Sequence, residues 1–210
     1  MKRGRGVPDQ GASWINLLDR RPIIVAIAGS NGSGKTTFFE SHLNATALRF
    51  LNADVLAREL EVDSYEAARM LAALRAELVA QNESFIFETV FSDPVGDKLG
   101  FLKQAAQSGY AVVLCFIGIS SAETSEQRVA MRVSQGGHDV PSEKLVERFP
   151  RTLANLAAAI RELPCVMVFD NDDLKFPFRH LASFTNGHVV QIKEPVPSWL
   201  KRLLSSANLP

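Results

Sequence analysis

Eight residues, Gly29-Ser30-Asn31-Gly32-Ser33-Gly34-Lys35-Thr36, follow directly on the apolar run Ile23-Ile24-Val25-Ala26-Ile27-Ala28. No other stretch narrows so far what the chain can fold into. The eight fit G-x-x-x-x-G-K-[ST], and each residue type has a physical reason to be there. Glycines let the backbone curl until its N–H groups point inward, a concavity suited to phosphate oxygens. Lys35 brings a mobile positive charge toward β- and γ-phosphates, and Thr36 and its hydroxyl suit Mg²⁺. Residues 29–34, Lys35, Thr36 and Thr37 together are the expected nucleotide-binding set. An apolar run with no polar alternation reads as a strand buried on both faces. Thr37-Phe38-Phe39-Glu40-Ser41-His42-Leu43 continues as a helix, whose dipole adds positive potential at its start. Strand, loop and helix in that order are the context the motif requires.

The rest of the chain supplies more units of this kind. Strands are expected at residues 48–53, 84–87, 110–117 and 165–169. Helices are expected at 63–80, 93–108, 121–135 and 142–162. Asp63 and Glu66 give the 63–80 helix a capping-box start, and Gly109 stops the helix before the fourth strand. Alternation of this kind predicts an α/β fold: a three-layer P-loop kinase-like sandwich around a mostly parallel five-stranded sheet. Asn186-Gly187, between residues 180–184 and 189–193, predicts a separate C-terminal β-hairpin. Pro195 and Pro197 precede a short closing helix at 198–204. The expected organisation is a polar lead-in at 1–20, in which Trp14 to Leu18 docks on the body, a core at 21–175, and a tail at 176–210. Pro150, inside the 142–162 helix, predicts a kink or break near Phe149, since proline lacks the donor for an internal helical hydrogen bond.

Composition narrows the function classes. Lys plus Arg number 23 and Asp plus Glu 23, so no net charge argues for nucleic acid or membrane as a partner. With 46% hydrophobic residues the 210-residue chain can bury a core as one domain. Cys115 and Cys165 sit in apolar surroundings and read as small core residues. No apolar stretch is long enough to span a bilayer and no secretory signal stands out, which makes the cytoplasm the expected location.

In an open parallel sheet, ligands bind at the carboxyl ends of the strands. Three carboxylates fall there: Asp54, Glu88 and Asp170. Asp54 suits a general base, a Mg²⁺ ligand or a cap for the next helix. Glu88 with Thr89 suits an acceptor hydroxyl or the metal shell, or simply faces solvent. Asp170-Asn171-Asp172-Asp173 reads best as a turn. Arg128 and Arg132, four apart, share a helix face, and Arg148 and Arg151 follow beyond Gly136-Gly137. Together they suggest a lid, about residues 121–151, clamping charge on a transferring phosphoryl group. Glu123, Glu126, Glu143 and Glu147 can also balance these arginines as ordinary solvated faces. Ser134-Gln135-Gly136-Gly137 faintly echoes a transporter-ATPase signature. The preceding leucine and a Walker-B Asp-Glu are missing, so a small kinase fits better.

Taken together, these stretches resemble the zeta toxin family of bacterial P-loop kinases, closest to its chromosomal members. The likeness rests on Ile27-Ala28-Gly29 through Thr36, Asn52-Ala53-Asp54, Phe87-Glu88-Thr89 and Gly109-Tyr110-Ala111-Val112. It continues from Arg128-Val129 through Arg132-Val133 to Gln135-Gly136-Gly137-His138-Asp139-Val140-Pro141, and so spans about residues 22–172. The resemblance implies ATP- and Mg²⁺-dependent phosphorylation of a small-molecule hydroxyl. The acceptor it implies is a nucleotide sugar such as UDP-N-acetylglucosamine, and an antitoxin protein is a candidate partner. It casts Lys35 and Thr36 as phosphate and metal contacts, Asp54 as the base, Glu88 and Thr89 as acceptor contacts, and Arg128 and Arg132 as the clamp. The segment around His138 departs from the founding toxins' second arginine, which leaves Arg132, Arg148 and Arg151 for that role. Residues 92–101 carry no recognisable sugar-binding signature. A kinase for another hydroxyl and a nucleotide-gated binding protein with little turnover remain the alternative readings.

Overall fold

The computed structural model describes residues 15–134, 136 and 139–209. Most of the expected lead-in, including Trp14, and the residues Gln135, Gly137 and His138 lie outside the described residues. The described chain opens with a 3₁₀ turn at Ile15–Asp19. Strand β1 (Ile23–Ala28) leads through the glycine-rich loop into α1 (Lys35–Phe38), which continues as a π turn at Phe39–Leu43. Next come β2 (Arg49–Leu51), α2 (Ala53–Leu60), α3 (Ser64–Ala80), β3 (Phe85–Thr89) and α4 (Asp97–Gln107). The chain then runs through β4 (Ala111–Gly118), α5 (Ala122–Ser134), α6 (Ser142–Glu162) and β5 (Val166–Asp170). It closes with β6 (Arg179–Thr185), β7 (His188–Ile192) and α7 (Ser198–Ser206).

The architecture is an α/β P-loop kinase-like fold around one mixed sheet of seven strands, ordered β2-β3-β1-β4-β5-β6-β7. β1 lies inside the sheet, paired in parallel with β3 on one side and β4 on the other. Its residues divide between two cores with the two-residue period of a strand. Ile24, Ala26 and Ala28 face one hydrophobic cluster, and Ile23, Val25 and Ile27 face the other. Such a strand must be apolar throughout, which is why its sequence shows no alternation.

The expected five-stranded sheet with a separate hairpin needs correction. The hairpin is not separate: β6 pairs antiparallel with β5, and β7 with β6, extending the sheet at its edge. Asp170 helps fix this junction and is not in a turn. It ends β5, is buried, accepts from Trp199 Nε1 at 3.2 Å and pairs with Arg179 at 3.3 Å. Trp199 in turn occupies the space a side chain on Gly118 would take, since a Cβ there would sit 2.2 Å from the indole.

Three element boundaries also differ from expectation. β2 stops at Leu51, because Asn52 is already the cap of α2, a helix the sequence reading passed over. Asp93-Pro94 lies in the link before α4 rather than in the helix. α6 runs from Ser142 to Glu162 without a break at Pro150. The carbonyl that loses its donor belongs to Val146, four residues earlier and exposed, so water can satisfy it.

Candidate functional site

The glycine-rich loop emerges at the carboxyl end of β1, where sequence and sheet geometry both put a ligand site. Gly34 holds φ at +93°, and a Cβ there would lie 2.6 Å from Asn171 Nδ2. Gly32, at φ +71°, lies against Arg128, whose Cβ would come within 3.0 Å of an added side chain. Both positions therefore require glycine for conformation and for space. Three further contacts hold the loop. Asn171 Nδ2 donates to the Ser33 carbonyl at 2.8 Å, Ser125 Oγ to the Asn31 carbonyl at 2.7 Å, and Lys35 Nζ to the Ser30 carbonyl at 3.0 Å.

Lys35 is the electrostatic centre of the site. Its side chain is buried, and burial pushes its pKa below the ordinary value of 10.5. The carboxylates of Glu88 and then Asp54 oppose that shift, while Arg132 adds to it. The charges that sequence reasoning picked from three different segments therefore act on one ammonium group. Thr36 Oγ1 donates to Glu88 Oε2 at 2.9 Å. A hydroxyl that gives its proton to a carboxylate keeps its lone pairs free for a cation. Among the described residues, no cluster of three or more His, Cys, Asp or Glu side chains could hold a metal by itself. The donor set here, one hydroxyl beside one carboxylate, suits Mg²⁺ shared with phosphate oxygens.

Asp54 is exposed in the first turn of α2, and its side chain does not cap that helix. Asn52 does so, its Oδ1 accepting from the backbone N–H of Asp54 at 2.8 Å and of Val55 at 3.0 Å. The buried cap fixes the helix start and leaves the Asp54 carboxylate free to face the cleft. Thr89 ends β3 beside Glu88, and its Oγ1 accepts from Phe91 N at 3.1 Å.

One cleft of about 820 Å³ is lined by Lys35, Thr36, Thr37, Asp54, Glu88 and Thr89. It is also lined by Asn31, Gly32 and Gly34 of the loop, and by Arg128, Arg132, Arg148 and Arg151. Gly29, Ser30 and Ser33 stand behind that surface, and Ser30 and Ser33 are buried. Arg128 reaches back to donate to the Asp172 carbonyl at 2.9 Å, and Arg151 pairs with Glu147 one turn earlier at 2.8 Å. Sequence reasoning missed the supports Asn52, Ser125 and Asn171. Asn171 carried a signal that was set aside, since it follows β5 on the same rim as Asp54 and Glu88. Ser125 carried none.

A family model described as an AAA domain matches residues 24–156. An uncharacterised protein of Haemophilus influenzae is 26% identical over 126 residues, covering 58% of this chain and 88% of its own. Among solved structures, a complex of AvrRxo1-ORF1 with AvrRxo1-ORF2 matches with a TM-score of 0.69 at 18% identity, over 95% of this chain and 68% of that one. The same pair has been solved with ATP. The PezAT chromosomal toxin-antitoxin system of Streptococcus pneumoniae matches with a TM-score of 0.54 at 15% identity, over 93% of this chain and 84% of that one. At these identities the likeness is one of fold.

Proposed function

The chain belongs to the AAA domain family, and from that premise we propose that it is an ATP-dependent phosphotransferase of the zeta-toxin type. The observation that carries this reading is the convergence on Lys35. A phosphate loop, a free exposed carboxylate at Asp54 and a second carboxylate holding the Thr36 hydroxyl surround one ammonium in one cleft. A protein that only binds nucleotide needs the loop. It has no need of a free carboxylate at the place where an acceptor would approach.

In this reading the loop N–H groups and Lys35 hold the donor phosphates. Thr36, backed by Glu88, holds Mg²⁺, which when bound neutralises phosphate charge. Asp54 orients the acceptor hydroxyl and takes its proton as the hydroxyl oxygen bonds to the γ-phosphorus and ADP leaves. Arg128 and Arg132 offset the negative charge on the transferring group, and the α5–α6 segment serves as the lid. The acceptor is a small molecule, with nucleotide sugars the first to test. PezAT is a toxin-antitoxin system and AvrRxo1-ORF1 was solved in complex with ORF2, which supports a protein partner of antitoxin type. Among the described residues no helix is long and apolar enough to cross a membrane. Use of ATP as the donor supports the cytoplasm as the place where the reaction runs.

The test is incubation with ATP, Mg²⁺ and a panel of nucleotide sugars, followed by mass spectrometry for an acceptor carrying one added phosphoryl group. Release of ADP with no phosphorylated acceptor across nucleotide sugars, nucleosides and proteins would overturn the reading.

A further inference from the structure

α6 serves two surfaces. Arg148 and Arg151 line the nucleotide cleft, while Phe149, Pro150, Leu153 and Ala154 line a groove of about 870 Å³ that α6 forms with α7. Trp199 and Leu203 supply its apolar wall from α7. Val146, one turn before Phe149, continues the apolar stripe and is exposed. The charged residues lining the groove are Arg161, Lys201 and Arg202, all cations. None of the three belongs to an ion pair among the described residues. Arg161 donates to the Ala207 carbonyl at the end of α7. That carbonyl lies about 7.5 Å along the helix axis from Arg202, so the charges gather beside one end of α7. The whole chain balances 23 basic against 23 acidic residues, which makes this a local excess.

A complementary surface lies at the edge of the groove. The 171–178 connection between β5 and β6 carries Leu174 and Phe176, 64% and 72% exposed, beside Asp172, Asp173 and one lysine, Lys175. Phe176 is the single phenylalanine that stands exposed among the described residues. Neither it nor Leu174 lines the nucleotide cleft. The turn is held in shape. Asp173 accepts from Lys175 N at 2.8 Å through Oδ1 and from Phe176 N at 3.2 Å through its carbonyl. A turn already formed presents its apolar side chains at little ordering cost on binding. Ser120 joins the two surfaces. It lines the groove, and its N–H and hydroxyl donate to Asp172 Oδ1 at 3.0 and 2.8 Å. Two large apolar side chains adjoining an apolar groove form a patch rather than isolated exposures.

Both surfaces are apolar, and their net charges are opposite in sign. They also adjoin on one face. That is the condition for an isologous contact, in which the same patch serves both copies and a two-fold axis relates them. Residues 1–14 of the chain have the wrong sign for the groove, with Lys2, Arg3 and Arg5 against Asp9.

We propose that a second copy of this chain occupies the groove. Leu174 and Phe176 of each copy pack between α6 and α7 of the other, and the carboxylates of the turn face Arg161, Lys201 and Arg202. With one turn and one groove from each copy, the interface is of the small, transient kind.

The test follows the full chain by sedimentation velocity over a wide range of concentration. The wild type is expected to pass from monomer to dimer as concentration rises. Arg202→Glu reverses the charge at the groove and Asp173→Lys reverses it at the turn, and both positions are exposed. Each variant alone is expected to dimerise at least about tenfold more weakly, since like charges then meet at both contacts. Their equimolar mixture is expected to recover the dimer. In the mixed pair one contact keeps the wild-type charges and the other has both signs exchanged. Phe176→Ser, which leaves the charges alone, is expected to weaken the dimer as well. Thermal melts of each variant check that it is folded.

A wild type that stays monomeric overturns the proposal. That is also the result if the groove serves the chain's own residues 1–14 or a foreign acidic partner. A dimer indifferent to both charge reversals and to Phe176→Ser overturns it too. So do folded single variants whose mixture stays as weak as either alone.

Discussion

Replacing Glu88 by glutamine tests the centre of the site at one atom. The side chain keeps its shape and can still accept from Thr36, whose hydroxyl lies 2.9 Å from Glu88 Oε2. What is lost is the charge. A hydrogen bond to a charged group contributes about 1.5–3 kcal/mol, and a neutral one about 0.5–1.5. Glu88 is half-buried and Thr36 exposed, so solvent screening favours the smaller differences. The expected loss is about 1–1.5 kcal/mol, or about five- to tenfold in the strengthening of ATP binding by Mg²⁺.

Calorimetric titration of ATP with Mg²⁺ and with EDTA isolates that increment. ATP affinity in EDTA should hold or rise, because a negative charge near the phosphates has gone. The variant should also shift the pH dependence. Glu88 is the foremost influence holding the Lys35 pKa up against burial, so without it that pKa falls further below 10.5. Phosphates need the ammonium form, so the alkaline loss of ATP affinity should move to lower pH. An unchanged Mg²⁺ increment together with an unmoved alkaline limb would refute the coupling of Glu88 to Thr36 and Lys35.

Asp54→Asn should keep ATP affinity and lose about 10²–10⁴ of the transfer rate, the usual span of general-base catalysis. Equal turnover in a phosphoryl-transfer assay would remove Asp54 from that role. Gly34→Ala combines a φ of +93° with a Cβ 2.6 Å from Asn171 Nδ2. It should cost about 2–3 kcal/mol in urea unfolding, from left-handed strain plus the displaced hydrogen bond to Ser33, and abolish ATP binding. Normal stability and binding would contradict the described loop. His42 and His180 both have pKa values lowered below 6.5, chiefly by burial. Below pH 6.5 the unfolded chain therefore binds protons that the folded one refuses. Stability should fall as pH drops from about 6.5 through the folded values, and substituting both histidines should flatten that slope in urea titrations.

Much of the site was legible because its parts are local. The turn between β1 and α1 needs glycines at set positions and a lysine and threonine directly after them, and the chain writes all of this within eight residues. Asp54 and Glu88 were legible for a related reason, since each closes or follows a strand and a parallel sheet brings such ends to one rim. Pro150 misled because helix rules ask only whether a donor is lost. Whether that loss matters depends on what surrounds the freed carbonyl, and here Val146 is exposed. The favoured turn at Asp170 failed for the complementary reason. Asp-Asn-Asp-Asp has turn composition, but Trp199 and Arg179 arrive from later elements to satisfy its first carboxylate inside the sheet.

The sequence by itself determined the alternation of strands and helices, the phosphate loop and the charges on the sheet's rim. Hydrophobic period, turn chemistry and capping act over a few residues and leave their mark in order. Only the tertiary structure decided that the hairpin joins the main sheet, that Asn52 frees Asp54, and that Ser125 and Asn171 brace the loop. The loop braces join residues 94 and 138 positions apart. At such separations a residue's partner is chosen by how whole elements pack, which no local pattern encodes.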